Sequence, residues 1–174
     1  MVRAQGQVEG IFIGAEAAAP LESMPEVRAE QGRGLAGDRY WSGQGTFWKP
    51  LTDREVTLIE MESLEALASD EGITLEPREA RRNIATRGVR LNDLVNQQFR
   101  VGDATLLGIR LCEPCGHLER LTGKTLRPAL GGRGGLRAAI LASGVIRVGD
   151  SIQAGPEGES AAIPEPLGAS PIAG

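Results

Sequence analysis

Apolar positions along the chain recur with the periods of short strands and short helices. Residues 7–13 alternate between polar and apolar side chains, and residues 55–59 form a short apolar run, so both predict strands. Residues 60–71 carry apolar side chains three or four positions apart and precede Gly72, which predicts a helix that ends at this glycine. Residues 116–122 predict a second, shorter helix.

The second half of the chain predicts more strands than helices. Residues 77–90 are polar and contain turn formers, and we expect them to be irregular. Residues 91–103 and 104–112 have the pattern of short strands that meet at a turn. Residues 136–155 contain at least two further strands, which glycines separate.

Turn-forming residues are frequent and indicate the fold class. The chain has 24 glycines and 10 prolines among 174 residues. The tetrapeptide RVGD stands at 100–103 and again at 147–150, each time before an apolar run, and it predicts a tight turn with glycine at positive φ and aspartate capping the turn amides. About seven short strands with one or two helices predict a mainly β (α+β) fold with a curled or closed sheet.

Length and composition bound the domain organisation. We expect residues 1–154 to form one domain, because 174 residues are enough for a single core. Residues 155–174 contain four prolines and almost no large apolar side chains, which predicts a disordered tail. No apolar run approaches the length of a membrane span, and no secretion signal is recognisable, so we expect a cytoplasmic protein that does not use a membrane. The net charge of −4 disfavours general nucleic-acid binding.

Cys112 and Cys115 stand three positions apart where the strand predicted over 104–112 ends. In a chain without a secretion signal, such a pair favours thiol or metal chemistry over a structural disulfide. If Pro114 is the first helical residue, Cys115 lies in the first helical turn, where the positive end of the helix dipole favours the thiolate. Three alternatives stay open: two buried structural thiols, a CxxC thiol-redox motif, and a zinc module that needs two further ligands. His117 points to a different helix face from Cys115, and we expect it at the surface or as a cap.

An arginine-rich segment covers residues 78–90 of this acidic chain. It combines five arginines with one acidic residue, Glu79. Guanidinium groups bind phosphate oxygens through paired hydrogen bonds, and Asn83 and Thr86 add neutral donors and acceptors, so the segment predicts a site for a small anion. The alternative is that these arginines pair with the acidic helix 60–71 or lie in solvent. The five are Arg78, Arg81, Arg82, Arg87 and Arg90.

Two glycine-rich stretches are also of interest. Residues 32–47 hold five glycines and predict a long functional loop. They include three aromatic residues, Tyr40, Trp41 and Phe47. We expect these rings to pack in the core. Residues 131–137 place Arg133 between two glycine pairs, but they lack the spacing of the standard nucleotide-binding loops.

Five segments, in this order, resemble MOSC domains, which are named after the C-terminal part of molybdenum cofactor sulfurases. The resemblance covers about residues 6–153, and the combination of segments is more specific than any one of them. The segments are GLAGDRY (34–40), REVTLIEMESLEAL (54–67), ARRNIATRGVRLNDLVNQQFRVGDATLLG (80–108), CEPCGHLE (112–119) and RGGLRAAILASGVIRVGDSI (133–152).

The resemblance implies a MOSC-type β-barrel that binds the molybdenum cofactor, a pterin dithiolene with a terminal phosphate. Cys115 matches the family cysteine that ligates molybdenum or carries sulfur for it, whereas Cys112 matches a position that is cysteine in only some members. The implied cofactor-contacting positions are Arg81, Arg82, Asn83, Thr86 and Arg133. An arginine group beside a soft sulfur also suits a phosphorylated metal-dithiolene ligand on chemical grounds.

The family offers two functions for this chain. The first is two-electron oxo transfer to a small molecule, such as reduction of an N-hydroxylated compound, with electrons from a separate flavin or iron-sulfur protein. The second is a sulfur carrier or chaperone that holds a persulfide on Cys115 for cofactor sulfuration. A separate pyridoxal-phosphate cysteine desulfurase would have to supply that sulfur.

Overall fold

The computed structural model describes residues 5–43 and 55–155, and these form eleven strands and three α-helices. The strands are β1 (Gln5–Ile13), β2 (Glu22–Ser23), β3 (Glu26–Glu30), β4 (Gly34–Leu35), β5 (Val56–Glu60), β6 (Ile84–Arg87), β7 (Gln98–Val101), β8 (Ala104–Leu111), β9 (Leu136–Ala142), β10 (Gly144–Arg147) and β11 (Ser151–Ala154). The helices are α1 (Met61–Glu71), α2 (Gly116–Thr122) and α3 (Arg127–Leu130), with a 3₁₀ helix at Leu91–Leu94.

Seven of the strands close into a mixed barrel. Their order is β11-β7-β8-β9-β5-β6-β1, and β11 pairs with β1 to complete the circle. Neighbours are antiparallel except β5 and β6, which run parallel because α1 and the following turns connect them. The short strand β2 extends the far end of β1, and β10, β3 and β4 form a second, three-stranded sheet.

Alternation along the strands divides apolar side chains between two cores. In β5, Val56 and Leu58 belong to the cluster that fills the barrel, whereas Ile59 packs on the outside. The outer cluster joins residues of the three helices and their connections to the barrel wall. It contains Ile59, Leu64, Leu67, Leu75, Ala80, Leu118, Leu126 and Leu130. The helices therefore cover the stretch of wall beside β5 and hold α2 in place.

The structure confirms the mainly β fold class and most of the predicted elements. Helix α1 ends at Gly72, which has a φ of 65°, and α2 spans the predicted residues 116–122. Both RVGD turns have glycine at positive φ, with values of 56° at Gly102 and 93° at Gly149. Asp150 Oδ2 accepts the Arg147 N–H at 2.8 Å, as expected for a capping aspartate.

Two predictions about elements were wrong. The stretch 77–90, predicted to be irregular, contains β6, which lies between β1 and β5 and is buried at its first three positions. The first part of 91–103, predicted as strand, forms the 3₁₀ helix before β7. The disordered tail was predicted over 155–174; the structure describes only the first of these residues, and 156–174 lie outside the described residues. Among the residues that the structure describes, none of the helices is both long and apolar enough to cross a membrane.

Candidate functional site

A cavity of about 180 Å³ opens on the outer wall of the barrel beside the helices. Its wall comes from β5, β9, the turn before β6, the loop after β4, and the start of α2. It contains several basic side chains and both cysteines of the chain. These are Arg39, Arg81, Arg82, Arg137, His117, Cys112 and Cys115; Tyr40, Thr57, Asn83, Glu113 and Leu118 complete the lining.

The cysteine segment, residues 112–115, connects β8 to α2 along the cavity. Cys112 is buried and Cys115 is half-buried, and both thiols are free. Cys115 would lie in the first helical turn only if Pro114 were the first helical residue, and this condition is not met. The helix begins at Gly116, and Cys115 is its N-cap with an extended backbone (φ −133°, ψ 169°), so Cys115 precedes the first turn. The Cys115 carbonyl accepts the first helical hydrogen bond, from the Glu119 N–H at 3.1 Å.

Arg81 is a half-buried cation in the cavity wall. Its Nη1 donates to the Ala19 carbonyl at 2.7 Å, and within the described part of the chain its guanidinium makes no other hydrogen bond. Its backbone has a φ of 58°, which is uncommon for a residue other than glycine. Burial, and next the positive charge of Arg39, lower the pKa of Arg81. The cavity therefore concentrates positive charge that an anion would compensate.

The next two residues use their side chains on the backbone. The three guanidinium nitrogens of Arg82 donate to three carbonyl oxygens at 2.9–3.2 Å. Asn83 Oδ1 accepts from the Thr57 N–H and hydroxyl, each at 3.1 Å, and Asn83 Nδ2 donates to the Phe12 carbonyl at 3.1 Å. These two side chains fix the cavity wall to its neighbouring strands.

The loop after β4 brings a buried ion pair to the cavity, which sequence reasoning missed. Asp38 Oδ1 accepts from Arg39 Nη1 at 3.1 Å and from the Gly14 N–H at 3.1 Å, and Asp38 Oδ2 accepts the Tyr40 N–H at 3.2 Å. Asp38 is 1% exposed and Arg39 is 5% exposed. The signal is present as adjacent opposite charges between a glycine and an aromatic residue, but GDRY is interpreted from the sequence only as part of a loop and of a family segment, and Asp38 and Arg39 are given no role there.

Tyr40 and Trp41 are not core residues, which corrects the prediction for these two rings. Tyr40 is half-buried and lines the cavity, with the Arg39 guanidinium 4.9 Å from its ring centroid. Trp41 is also half-buried; Arg33 stacks on its ring at 3.6 Å, and its Nε1 donates to a Glu30 carboxylate oxygen at 2.9 Å. The polar partners explain why these rings lie at the surface of the barrel. Phe47 lies outside the described residues.

His117, predicted at the surface or as a cap, contributes to the cavity wall from the first turn of α2. Its side chain is partly buried. Burial, followed by the positive charges of Arg120, Arg81 and Arg39, lowers the pKa of His117. The imidazole is therefore held toward its neutral form, in which one ring nitrogen donates and the other accepts.

The remaining arginine-segment residues and Arg133 lie away from the cavity. Arg87 contacts carboxylates of Glu62 and Glu65 on α1, which confirms the predicted pairing with the acidic helix for this one residue. Thr86 is buried and its hydroxyl donates to the Ile59 carbonyl at 3.3 Å. Arg133 Nε donates to the Ala129 carbonyl at 3.0 Å. The predicted cofactor contacts of Thr86 and Arg133 stay predictions.

The arrangement combines an anion site with a soft nucleophile or ligand. Arg39 and Arg81 supply positive charge, and the Cys115 thiol supplies a sulfur that is accessible from the cavity. In residues 5–43 and 55–155, no three side chains of the metal-binding types histidine, cysteine, aspartate and glutamate come together.

Comparison with solved structures finds the same fold at low sequence identity. The YuaD protein from Bacillus subtilis is 18% identical with a TM-score of 0.71, over 88% of this chain and 97% of that chain. YiiM from Geobacillus stearothermophilus is 16% identical with a TM-score of 0.67, over 88% and 76% of the two chains. YiiM from Escherichia coli is 16% identical with a TM-score of 0.64, over 90% and 70%.

The sequence itself identifies the family. No curated protein sequence matches the chain. The family model described as MOSC domain matches residues 18–153. This match includes the loop after β4, the arginine segment and the cysteine segment, and it covers more than half of the 174 residues. The chain therefore belongs to the MOSC domain family, whose name comes from the C-terminal domain of molybdenum cofactor sulfurases.

Proposed function

We propose that this MOSC domain binds the molybdenum cofactor in the cavity, with Cys115 as the metal ligand and Arg81 and Arg39 at the anionic end of the pterin. The observation that carries the proposal is the position of the Cys115 thiol, which shares one cavity wall with two arginines that are buried or half-buried. The chemistry is two-electron oxo transfer to a small molecule.

The donor set fits such a cofactor. A thiolate is the soft ligand that a metal already bound by sulfur accepts, and guanidinium groups match the oxygens of a phosphate. Among the described residues that line the cavity, Glu113 is the one acidic side chain, and the arginines outnumber it. Within the described residues, Arg81 makes one hydrogen bond and so keeps other donors for a ligand. Arg39 is oriented by Asp38. The other predicted cofactor contacts would act on the cofactor only indirectly, through the protein groups to which they are hydrogen-bonded. These residues are Arg82, Asn83, Thr86 and Arg133.

When bound, the cofactor would supply two-electron redox chemistry. The chain's own residues would hold and orient it: Arg81 and Arg39 through charge, and Cys115 through sulfur. For an N-hydroxylated amine the overall reaction consumes two electrons and two protons and gives the amine and water. A separate flavin or iron-sulfur protein would donate the electrons, and water at the open side of the cavity would supply the protons.

A sulfur-carrier function is the second candidate, and the observation that favours it is the half-buried Cys115 beside basic side chains. The Cys115 thiolate would attack the outer sulfur of a persulfide on a pyridoxal-phosphate cysteine desulfurase. The sulfur–sulfur bond of the desulfurase would break, its cysteine would leave as a thiolate, and Cys115 would hold the transferred sulfur as a persulfide. The cationic wall would stabilise the persulfide anion, and no small substrate would turn over. A mass increase of one sulfur atom on Cys115 would distinguish this function from oxo transfer.

Elemental analysis together with fluorescence of the oxidised pterin tests the proposal. The protein would be expressed anaerobically in a host that makes the cofactor, beside Cys115→Ser and the matched control Cys112→Ser. We expect near-stoichiometric molybdenum and pterin in the wild type, loss of molybdenum in Cys115→Ser, and retention of both in Cys112→Ser. Absence of both from the wild type would refute cofactor binding, and equal losses in the two variants would refute the assignment of Cys115.

A further inference from the structure

We propose that Arg82 is a positioning residue for Cys115, which it acts on through the carbonyl of Cys112, and that it does not contact the anion in the cavity. We use the word clamp for the three hydrogen bonds from the Arg82 guanidinium to backbone carbonyls, and these are contacts in the structure. The role of Cys115 rests on the proposed function. The inference separates two adjacent arginines that sequence reasoning placed in one anion-binding group.

The Arg82 guanidinium connects three separate segments. Nη1 donates to the Ala80 carbonyl at 3.2 Å, and Nε donates to the Gly134 carbonyl at 2.9 Å. Nη2 donates to the Cys112 carbonyl at 3.1 Å. Ala80, Cys112 and Gly134 are all buried, so their carbonyls have little access to water and depend on the arginine. A planar fork with donors on three nitrogens can satisfy all three carbonyls, whereas a lysine ammonium cannot match that geometry.

The contact with Cys112 fixes the start of the cysteine segment. The Cys112 N–H donates to the Gly135 carbonyl at 2.7 Å, and its carbonyl accepts from Arg82, so both backbone polar groups are held. The other end of the segment is held by α2, because the Cys115 carbonyl accepts from the Glu119 N–H. The position of the Cys115 thiol in the cavity is therefore set between two fixed points three residues apart.

Gly134 belongs to the same clamp. A Cβ atom at this position would lie 2.5 Å from the Cys112 carbonyl oxygen and 2.9 Å from Pro114 Cδ. Both distances are shorter than van der Waals contact, so any side chain would push the cysteine segment away from its position. The close approach of the two loops explains a glycine here without any phosphate, and it gives a second way to disturb Cys115.

Arg81 provides the contrast. Its only hydrogen bond in the described part of the chain goes to the Ala19 carbonyl. It leaves donors for a ligand, and it makes none of the hydrogen bonds to Cys112 and Gly134 that Arg82 makes. Removing Arg81 should therefore weaken anion binding and leave the cysteine segment in place. Removing Arg82 should instead displace the cysteine segment and leave the anion-binding side chains in place.

Cysteine labelling of the full chain tests the clamp without any cofactor. Iodoacetamide labelling, followed by mass spectrometry of each cysteine, would compare the wild type with Arg82→Lys, Arg81→Lys and Arg78→Lys. Arg78 is the matched control because its exposed side chain only approaches Glu76 at 4.0 Å. We expect the Cys112 labelling rate to rise at least tenfold in Arg82→Lys, below its melting temperature, and to stay within twofold in the other two. Gly134→Ala should reproduce the effect if Arg82→Lys fails to fold.

The ratio of molybdenum to pterin separates positioning from loss of the fold. In cofactor-loaded protein we expect Arg82→Lys to lower this ratio at least threefold, because the metal loses its sulfur ligand while the pterin stays. Arg81→Lys should lower both contents together. Unchanged Cys112 labelling in both Arg82→Lys and Gly134→Ala would overturn the inference. A wild type without cofactor would refute the proposed function instead, and the labelling result would still decide the clamp.

Discussion

Arg82 and Arg87 lie five residues apart in the same arginine segment, but one charge is buried and the other is exposed to solvent. Arg82 is 8% exposed and donates to three carbonyl oxygens in the cavity wall. The Arg87 side chain is 43% exposed and contacts three carboxylates, those of Glu9, Glu62 and Glu65. The sequence shows two similar positive charges, and only the packing decides that one supports a site and the other a surface.

The same division holds for ion pairs. Asp38 and Arg39 are 3.1 Å apart with 1% and 7% of their side chains exposed. Arg90 and Asp93 are 3.9 Å apart with 83% and 70% exposed. Loss of one partner leaves a buried charge uncompensated in the first pair, whereas water replaces the partner in the second. The free energy of unfolding should therefore depend far more on the buried charges beside the cavity than on exposed charges such as Arg90 and Asp93.

The largest expected effect follows removal of the Asp38 carboxylate. Asp38→Ala leaves Arg39 buried without its counter-charge and leaves the amides of Gly14 and Tyr40 without an acceptor. We expect a loss of about 3–5 kcal/mol in the free energy of unfolding. Denaturant unfolding would measure it, and the melting temperature should fall by roughly 10 °C.

Asp93→Ala is the control for this prediction, because it removes the acidic partner of the exposed pair. Its effect should stay below about 1 kcal/mol. If the two variants lose similar stability, the distinction between buried and exposed pairs fails for this protein.

Sequence patterns predicted the elements that local signals determine, namely the spacing of apolar residues and glycines at positive φ. The spacing of Leu64 and Leu67 together with Gly72 determined α1, and the RVGD turns were recognised because their glycines need positive φ. Strand β6 was missed because its four residues stand between polar, turn-forming stretches. Its strand character comes from pairing with β1 and β5, which are distant in sequence, and local propensity carries no information about those partners.

The candidate site was predictable in chemistry and only partly in geometry. The cysteine segment was expected at a strand-to-helix junction, and it lies there. Arg81 and Arg82 were expected to act together, but their roles depend on which carbonyls lie nearby, and these come from Ala19, Gly134 and Cys112. The contribution of Arg39 was missed because the fold, and not the spacing, brings the loop after β4 to the arginine segment.

Glu55 extends the comparison to a buried charge whose environment opposes ionisation. The residue is 5% exposed, and burial raises the pKa of Glu55 to about 7, although backbone amides of Ile140 and Gly32 work against the shift. The folded protein therefore keeps this proton up to a higher pH than the unfolded chain does. The resulting stability is present below about pH 4.5 and is lost as the pH rises through 7.

We expect Glu55→Gln to remove this part of the pH dependence. Between pH 4.5 and pH 8, the free energy of unfolding of the wild type should fall by about 3 kcal/mol relative to that of the variant. Unfolding by urea at a series of pH values measures the difference, in which the contributions of other titrating groups cancel. Glu71→Gln, at an exposed position where α1 ends, should keep the wild-type slope. Parallel curves for the wild type and Glu55→Gln would contradict the prediction.

The smallest effect is expected for Arg87, and it gives the sharpest contrast with Arg82. Arg87→Ala removes contacts with three carboxylates, but these carboxylates are on partly exposed side chains, and water solvates them when the arginine is lost. We expect the melting temperature to change by no more than about 2 °C, and the change should shrink further in 1 M salt because exposed charges are screened. Differential scanning calorimetry would measure both. A large, salt-insensitive loss would mean that the ion pairs of Arg87 stabilise the barrel as much as the buried charges do, because Arg87 connects β6 to both β1 and α1.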